Sequence, residues 1–204
     1  MLTFKYIALS TQSVGVGPGI LVLKAVSVRS SHHSAAISHR RVAIVDYRGS
    51  TVLDYFVKPT LPVSDYRTNV TGISPQDLES DNALPFDDVQ SRVASVIASK
   101  IIVGHSLWND FSVLGLPHPA VATRDVALYR PFRTTLRSNH VIGLQTLMWH
   151  LMNRQVQKEH VVPLENVRAV IDLYRSVETD CEASIAAGDW PFLLPPENFA
   201  RCYL

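Results

Sequence analysis

Cysteine is scarce in this sequence, with only Cys181 and Cys202 among 204 residues. Two cysteines near one end of the chain do not make the disulfide framework of small secreted domains, and no Cys-x-x-Cys or Cys/His cluster indicates a zinc site. A single bridge between the two is the alternative. We interpret them as reduced thiols in an intracellular protein.

An excess of either charge is also lacking. Lysine and arginine together number 19, aspartate and glutamate number 18, and the formal net charge is +1. The protein therefore has no global basic footprint of the kind that dominates non-specific nucleic-acid binding. Any binding of that sort must depend on a local patch.

Long apolar runs are absent as well. No stretch reaches the length that crosses a bilayer, and Lys5 and Tyr6 interrupt the apolar segment that a signal peptide would need. We expect an intracellular protein, nuclear or cytoplasmic, with no membrane partner. What the sequence does have is 47% apolar residues, enough for the core of one domain.

The order of the apolar patterns predicts an α/β fold. The predicted strands are residues 4–9, 20–28, 42–45, 51–57 and 101–103, and the predicted helices are residues 85–99, 109–114, 141–154 and 163–187. Antiparallel strands followed by alternating helix and strand indicate a central mixed sheet flanked by helices. One domain, residues 1–187, carries an exposed loop at about 29–40. A tail rich in proline and aromatics, residues 188–204, packs back on the domain or contacts a partner.

Five stretches with characteristic spacing carry a resemblance to a known family. They are residues 6–19 (YIALSTQSVGVGPG), 55–73 (YFVKPTLPVSDYRTNVTGI), 85–116, 123–132 (TRDVALYRPF) and 156–174 (VQKEHVVPLENVRAVIDLY). Together they resemble the DEDDh 3′–5′ RNA exonucleases, in the branch of interferon-stimulated and ribosome-processing enzymes. The resemblance covers most of residues 4–175. It implies an RNase H-like exonuclease fold.

The resemblance also implies a particular chemistry. Members of that family hydrolyse a phosphodiester with two Mg²⁺ or Mn²⁺ ions, four acidic ligands and a histidine general base. The resemblance places Ser10 and Gln12 at the family's first motif, Asp-x-Glu, and Asp110 at the aspartate of the second motif. In the third motif, a gapless match places Val161 at the histidine and Asn166 at the aspartate.

The charges at these positions favour a degenerate site. Four carboxylates fall to one, Asp110, which does not normally retain two magnesium ions, and a valine cannot take a proton from water. A one-residue bulge is the alternative, with His160 turned inward and Glu165 as the replacement acid. Neighbouring residues on a helix point about 100° apart, which disfavours that shift. We therefore expect no bound metal and no small-molecule cofactor.

Four arginines are candidate nucleic-acid contacts, namely Arg130, Arg133, Arg137 and Arg168. They lie in a segment where basic residues outnumber acidic ones. Such a segment is typical either of a phosphate-facing patch or of ordinary solvated helix faces.

The sequence thus predicts a catalytically inactive, exonuclease-like (pseudonuclease) domain that is not an enzyme and serves as a scaffold for a protein partner, RNA, or both. The alternative is an active, metal-dependent 3′–5′ RNA exonuclease with a rearranged site. Asp125, a further carboxylate in the fourth stretch, is expected to have a surface or turn role rather than a catalytic one.

Overall fold

One mixed β-sheet organises the protein. The computed structural model describes residues 20–30, 37–60 and 62–204, and within them six strands join this sheet. The strands are β1 (Ile20–Ser30), β2 (Ile37–Asp46), β3 (Thr51–Phe56), β4 (Val63–Asp65), β5 (Ile101–Gly104) and β6 (Thr123–Asp125). The predicted α/β class, with a central mixed sheet flanked by helices, is confirmed.

The strand order is β3-β2-β1-β5-β6, with β4 paired to β1 off this path. The pairs β1–β2 and β2–β3 are antiparallel, as the tight turn between residues 46 and 51 predicts, while β1–β5 and β5–β6 are parallel. In the parallel register Val22 faces Val103, so Lys24 lies one residue beyond the end of β5. The site lies at this end of the sheet, where β5 ends.

Eight helices flank the sheet within the described ranges. They are α1 (Thr68–Thr71), α2 (Pro75–Glu79), α3 (Phe86–Ile97), α4 (Leu107–Leu114), α5 (Arg130–Thr135), α6 (Leu144–Met152), α7 (Pro163–Arg175) and α8 (Glu178–Ala186), besides 3-10 turns at Ala120–Ala122 and Glu197–Cys202. The continuous helix predicted for residues 163–187 is wrong. Ser176 Oγ donates to Leu173 O over 2.7 Å, and Val177 has a non-helical φ of −128°, which separates α7 from α8.

The two faces of the sheet carry separate apolar clusters, because alternate residues of a strand point to opposite sides. Leu21 and Leu23 of β1 pack with residues of α3 and α4, including Val89 and Phe111. Val22 belongs to the other cluster, which includes residues of α6 and α7. Each face is therefore covered by helices, as a strand buried on both faces requires.

Two sequence predictions concern the region around β1 and β2. The strand predicted at residues 4–9 lies outside the described residues. The exposed loop predicted for residues 29–40 is replaced in part by strand pairing, because Arg29 pairs with Ile37 and Ser38 pairs with Val28. Backbone hydrogen bonding between two long strands satisfies the polar main chain there, which a composition rich in serine and histidine did not reveal.

The last segment packs on the domain. Trp190, Phe192 and Phe199 join the apolar cluster next to α6 and α7. Tyr203 stacks edge-on against Phe111, with ring centroids 5.9 Å apart, and Cys202 Sγ donates to the carbonyl of Trp108 over 3.7 Å. Of the two predicted uses of the tail, the structure has the one in which it covers the domain, and the domain boundary at residue 188 stays a prediction.

Candidate functional site

A tight junction between β5 and α4 forms one side of the site. The strand ends at Gly104, and a Cβ added to Gly104 would collide with the side chain of Leu107. Ser106, between them, has a left-handed backbone with φ 58°. Glycine therefore lets α4 begin immediately after the strand.

A buried carboxylate holds this junction. Asp125, at the end of β6, accepts hydrogen bonds from the backbone N–H groups of Ser106, Leu107 and Ala127 over 2.9, 2.7 and 3.0 Å. Burial raises the pKa of Asp125 to about 7, and the charge of Asp110 adds to that shift. The surface or turn role predicted for Asp125 is wrong, because its side chain is needed inside to satisfy the exposed N–H groups at the start of α4.

His105 belongs to the same junction. Its Nε2 donates to the carbonyl of Ile142 over 2.8 Å, and its Nδ1 lies 3.3 Å from Ser106 Oγ. Burial lowers the pKa of the imidazole to about 4, and the nearby positive charge of Lys24 acts in the same direction. A neutral imidazole with one donor and one acceptor nitrogen fits both contacts. His105 thus joins β5 to the loop before α6.

Asp110 presents the carboxylate that the second motif predicts. It lies in the first turn of α4 and is 1% exposed. Lys24 Nζ of β1 is 3.4 Å from each of its two oxygens, and the lysine side chain is 20% exposed. The formal charges of this pair cancel.

Asn166, on α7, has an amide side chain at the position where the family's third motif has an aspartate. It is 1% exposed, and its Oδ1 accepts from Gln157 Nε2 over 2.8 Å. Its Nδ2 is buried, and no acceptor within the described ranges reaches it. Glu165, the preceding residue, accepts from the backbone N–H of Gln157 over 3.0 Å. Both side chains therefore fasten the loop that leads into α7.

His160 and Val161 point in different directions. Val161 donates its backbone N–H to the carbonyl of Val70 over 2.7 Å, and its side chain packs on the small cluster of Ile73 and Leu78. His160 is exposed, and its ring lies beside Gly72. The inward position thus belongs to valine.

Ser10 and Gln12, predicted to form the first motif, lie outside the described residues. In the structure β1 runs parallel to β5 on the side away from β6, and it brings Lys24 to Asp110. The sequence prediction missed Lys24. Its signal was a single charged residue inside the apolar run of residues 20–28.

The four candidate arginines divide into two places. Arg130, Arg133 and Arg137 line a shallow groove of about 500 Å³ beside Leu193. Arg168 lies elsewhere, where its Nε donates to the carbonyl of Gly49 in the β2–β3 turn over 3.2 Å. The structure therefore brings together three of the four.

The described residues do not fit a pair of divalent cations. No three His, Cys, Asp or Glu side chains group around a metal position in residues 20–30, 37–60 and 62–204. Asp110 already faces an ammonium group, and the position of the last aspartate is an amide. Hard cations prefer several anionic oxygens, so we derive no catalytic step through a metal.

Comparison with known proteins gives a consistent result. A family model described as an exonuclease, RNase T, matches residues 35–161, more than half of the chain. RNA exonuclease 4 of Homo sapiens is 36% identical over 192 residues, which is 94% of this chain and 41% of that protein. RNA exonuclease 4 of Saccharomyces cerevisiae is 33% identical over 178 residues, 87% of this chain and 56% of that protein. The chain thus spans about half or less of these relatives.

A solved structure shares the fold. The Pan2 pseudoubiquitin hydrolase-RNA exonuclease module of Saccharomyces cerevisiae, in complex with A7 RNA, superposes with a TM-score of 0.71 at 22% identity. The match covers 83% of this chain and 30% of that one. At this identity the likeness shows the fold alone.

The predictions of an inactive domain and of a protein that is not an enzyme are wrong on these findings. The relatives carry the name of an enzyme, and their similarity extends over nearly the whole chain. Those predictions depended on five motif positions, two of which lie outside the described residues. The similarity to proteins named as RNA exonucleases extends far beyond these positions.

Proposed function

The chain belongs to the RNase T exonuclease family, and from that premise we propose that it is the exonuclease domain of an enzyme that shortens RNA from its 3′ end. The observation that carries the proposal is the 36% identity to a protein named RNA exonuclease 4 over 94% of the chain. The alternative set out from the sequence, an active, metal-dependent RNA exonuclease with a rearranged site, supplies this activity, and its dependence on metal stays a prediction that the assay below tests.

RNA as the substrate has support from the surface of this chain. Three arginines, Arg130, Arg133 and Arg137, line one groove, and guanidinium groups suit the phosphate backbone. Arg130 Nη2 is also held by Asp189 over 2.8 Å and by the carbonyl of Trp190 over 2.6 Å. The groove is therefore partly preorganised, and a local patch of this kind is what a net charge of +1 requires.

Within this proposal the cleft is the place at the end of β5 where Asp110 of α4 meets Lys24 of β1. Asp110 is the retained acid of the second motif and holds Lys24. His160 precedes Glu165 by the His-x4-acid spacing that the resemblance implies, but its ring is exposed beside Gly72, and the inward position belongs to Val161.

Other expectations from the sequence keep the status of predictions. In the described residues no helix is both long enough and apolar enough to cross a membrane. A protein partner, the nuclear or cytoplasmic compartment, and the interferon-stimulated or ribosome-processing branch are still predicted from sequence. The whole-protein activities of the longer relatives also come to this chain only as proposals.

The test is a degradation assay on the purified chain. A single-stranded RNA with a 5′ fluorophore and a free 3′ hydroxyl is incubated with Mg²⁺, with Mn²⁺ and with chelator, and the products are separated on a denaturing gel. We expect a ladder of products that shorten from the 3′ end. The variant Asp110→Asn should degrade the RNA ~100-fold more slowly, because the carboxylate that holds Lys24 in place is lost.

Asp172→Asn is the matched control, because Asp172 is a surface carboxylate that pairs with Arg154 over 2.6 Å. We expect this variant to degrade RNA at the wild-type rate. Intact RNA in all three buffers, or equal rates for wild type and Asp110→Asn, contradicts the proposed function.

A further inference from the structure

Lys24 follows three buried residues of β1, Leu21, Val22 and Leu23, and lies at the end of the sheet where the cleft is found. Lys24 shares a strand face with Val22, which packs in the same cluster as Val167 and Val170 of α7. Its side chain therefore starts on the face of the sheet that α7 covers. From there Nζ reaches both oxygens of Asp110 at 3.4 Å.

Burial makes this pair costly to separate. Asp110 is 1% exposed and Lys24 is 20% exposed. A carboxylate so deeply buried needs compensation by hydrogen bonds or by charge, and Lys24 supplies a full opposite charge. A divalent cation at Asp110 would have to approach against the ammonium group, which is a repulsive arrangement of like charges.

The ammonium group also has unused capacity. It carries three N–H donors, and the contacts to Asp110 come from one side of it. The exposed fifth of the side chain leaves an approach from solvent. A phosphodiester oxygen is an anionic acceptor of the kind that lysine binds as a point charge.

A second donor lies on the helix that packs against β1. Asn166 Nδ2 of α7 is buried, and within the described ranges no acceptor takes its hydrogens. Buried donors without a partner are rare in native proteins, and each invites an explanation. The atom has almost no exposed surface, so a substrate oxygen reaches it only if a neighbouring side chain moves.

We propose that Lys24 is the resident cation of this exonuclease cleft, compensating Asp110 where the family uses divalent metal and binding a phosphodiester oxygen of RNA. The inference rests on the proposed function only for the identity of the ligand. Among the described residues, the side chains around Asp110 then fit an ammonium group in the place of a metal charge rather than a pair of metal ions.

The first experiment measures metal binding without RNA. Mn²⁺ is titrated into wild type, Lys24→Met and Lys24→Asp, with free Mn²⁺ followed by electron paramagnetic resonance. We expect wild type to bind Mn²⁺ more weakly than ~1 mM and Lys24→Asp to bind at least ~10-fold more tightly, because two carboxylates then face each other. Two-site binding by wild type tighter than ~100 µM overturns the inference.

Lys24→Met covers the case in which Lys24→Asp does not fold. It keeps an unbranched side chain of similar length, removes only the charge, and is checked by thermal melting. Binding of Mn²⁺ to Lys24→Met that is no tighter than to wild type shows that the ammonium does not exclude metal, and it overturns this half of the inference.

The second experiment measures RNA binding by fluorescence anisotropy in EDTA and in Mg²⁺. The probe is a 5′-labelled octamer of single-stranded RNA with phosphorothioate linkages at its 3′ end, so that the proposed activity does not shorten it. We expect wild type to bind equally, within ~2-fold, in the two buffers and Lys24→Met to bind ~10-fold more weakly in both. Lys58→Met is the matched control, because Lys58 is exposed at the end of β3, and it should bind like wild type.

The outcomes separate the two proposals. RNA binding by wild type that needs Mg²⁺, or that Lys24→Met leaves unchanged, overturns the role of Lys24 and leaves the exonuclease function standing. An absence of RNA binding by wild type in both buffers overturns the phosphate role and the proposed function together. The Mn²⁺ titration then still decides whether Lys24 excludes a metal.

Discussion

The helices α4 and α7 border the same cleft, but they begin in different ways. At α4 the first N–H groups bond to a carboxylate from another element, Asp125 of β6, over 2.7 and 2.9 Å. At α7 the first helical residue is Pro163, which has no N–H, and no side chain of the N-cap residue forms a capping bond. The α4 side is tied to the sheet, whereas the α7 side is tied to the loop before it.

This difference teaches where a change of residue is tolerated. Asp125 satisfies three backbone N–H groups, so its loss would disturb the main chain that carries Asp110. Asn166 of α7 contacts a neighbouring glutamine, and Val161, in the loop before α7, packs on a small apolar cluster. Chemistry at the start of α7 is able to change without loss of the fold.

The largest effect is expected from Asp125→Ala. Three buried N–H groups lose their acceptor, and each unsatisfied group costs about 1–3 kcal/mol, so we expect a loss of about 4 kcal/mol in the free energy of unfolding. Urea denaturation measures it. The control Asp172→Ala, on the surface of α7, should change this free energy by about 0.5 kcal/mol. Similar losses for both variants would remove the contrast between the helices.

A second effect distinguishes the junction by its pH dependence. His105 has a folded-state pKa of about 4, below its ordinary 6.5, because burial disfavours the charged ring. The stability that its neutral form contributes is present above pH 6.5 and is lost as pH falls toward 4. One pKa unit corresponds to 1.36 kcal/mol, so the loss by pH 4 is about 3 kcal/mol.

His105→Gln should remove this acid-side loss, as measured by urea denaturation at several pH values between 4 and 8. Asp125 acts in the opposite direction, because its raised pKa of about 7 makes its contribution fall as pH rises from about 4 toward 7. The comparison is therefore made between variant and wild type at each pH. A difference that does not change with pH would show that His105 is not kept neutral.

Much of the fold was predictable from the sequence. Local patterns settle the hairpin of β2 and β3, the apolar strand β5 and the amphipathic α3, because each depends on neighbouring residues. The break between α7 and α8 was missed because no glycine or proline marks it, and it is made instead by the Ser176 side chain bonded to the helix backbone and by the non-helical backbone of Val177.

The site was predictable only in part. Asp110 and Asn166 were found because motif spacing locates them, and the structure buries both. Lys24 and the internal role of Asp125 were not found, because each acts across elements distant in sequence, over 86 and 19 residues. Spacing along the chain reports on local geometry, while such pairings exist only once the sheet is assembled.

A third, smaller effect is expected at the start of α7. Asn166→Asp places a charge at a position that is 1% exposed, and in chelator we expect a loss of about 2 kcal/mol in the free energy of unfolding. The control Asn139→Asp is exposed and should change this free energy by about 0.5 kcal/mol. Recovery of the lost stability by Mn²⁺ would contradict the view that Lys24 keeps metal from the cleft.

The smallest effect concerns which side of the cleft the RNA follows. Arg137 lies with the arginines of α5, which follows β6 in the chain, whereas Arg168 contacts the β2–β3 turn. If RNA follows the α5 groove, Arg137→Ala should weaken its binding ~3-fold and lower the salt slope by about 1. Arg168→Ala should leave both quantities unchanged, because its guanidinium is engaged with Gly49.

Anisotropy titrations at several salt concentrations make the measurement, with melting curves to confirm that both variants are folded. An equal loss of RNA affinity for the two variants would mean that RNA contacts both the α5 groove and α7. A loss for Arg168→Ala alone would place the RNA on the side of the cleft where the residues are most changed from the family, and the α5 groove would then be an ordinary solvated surface.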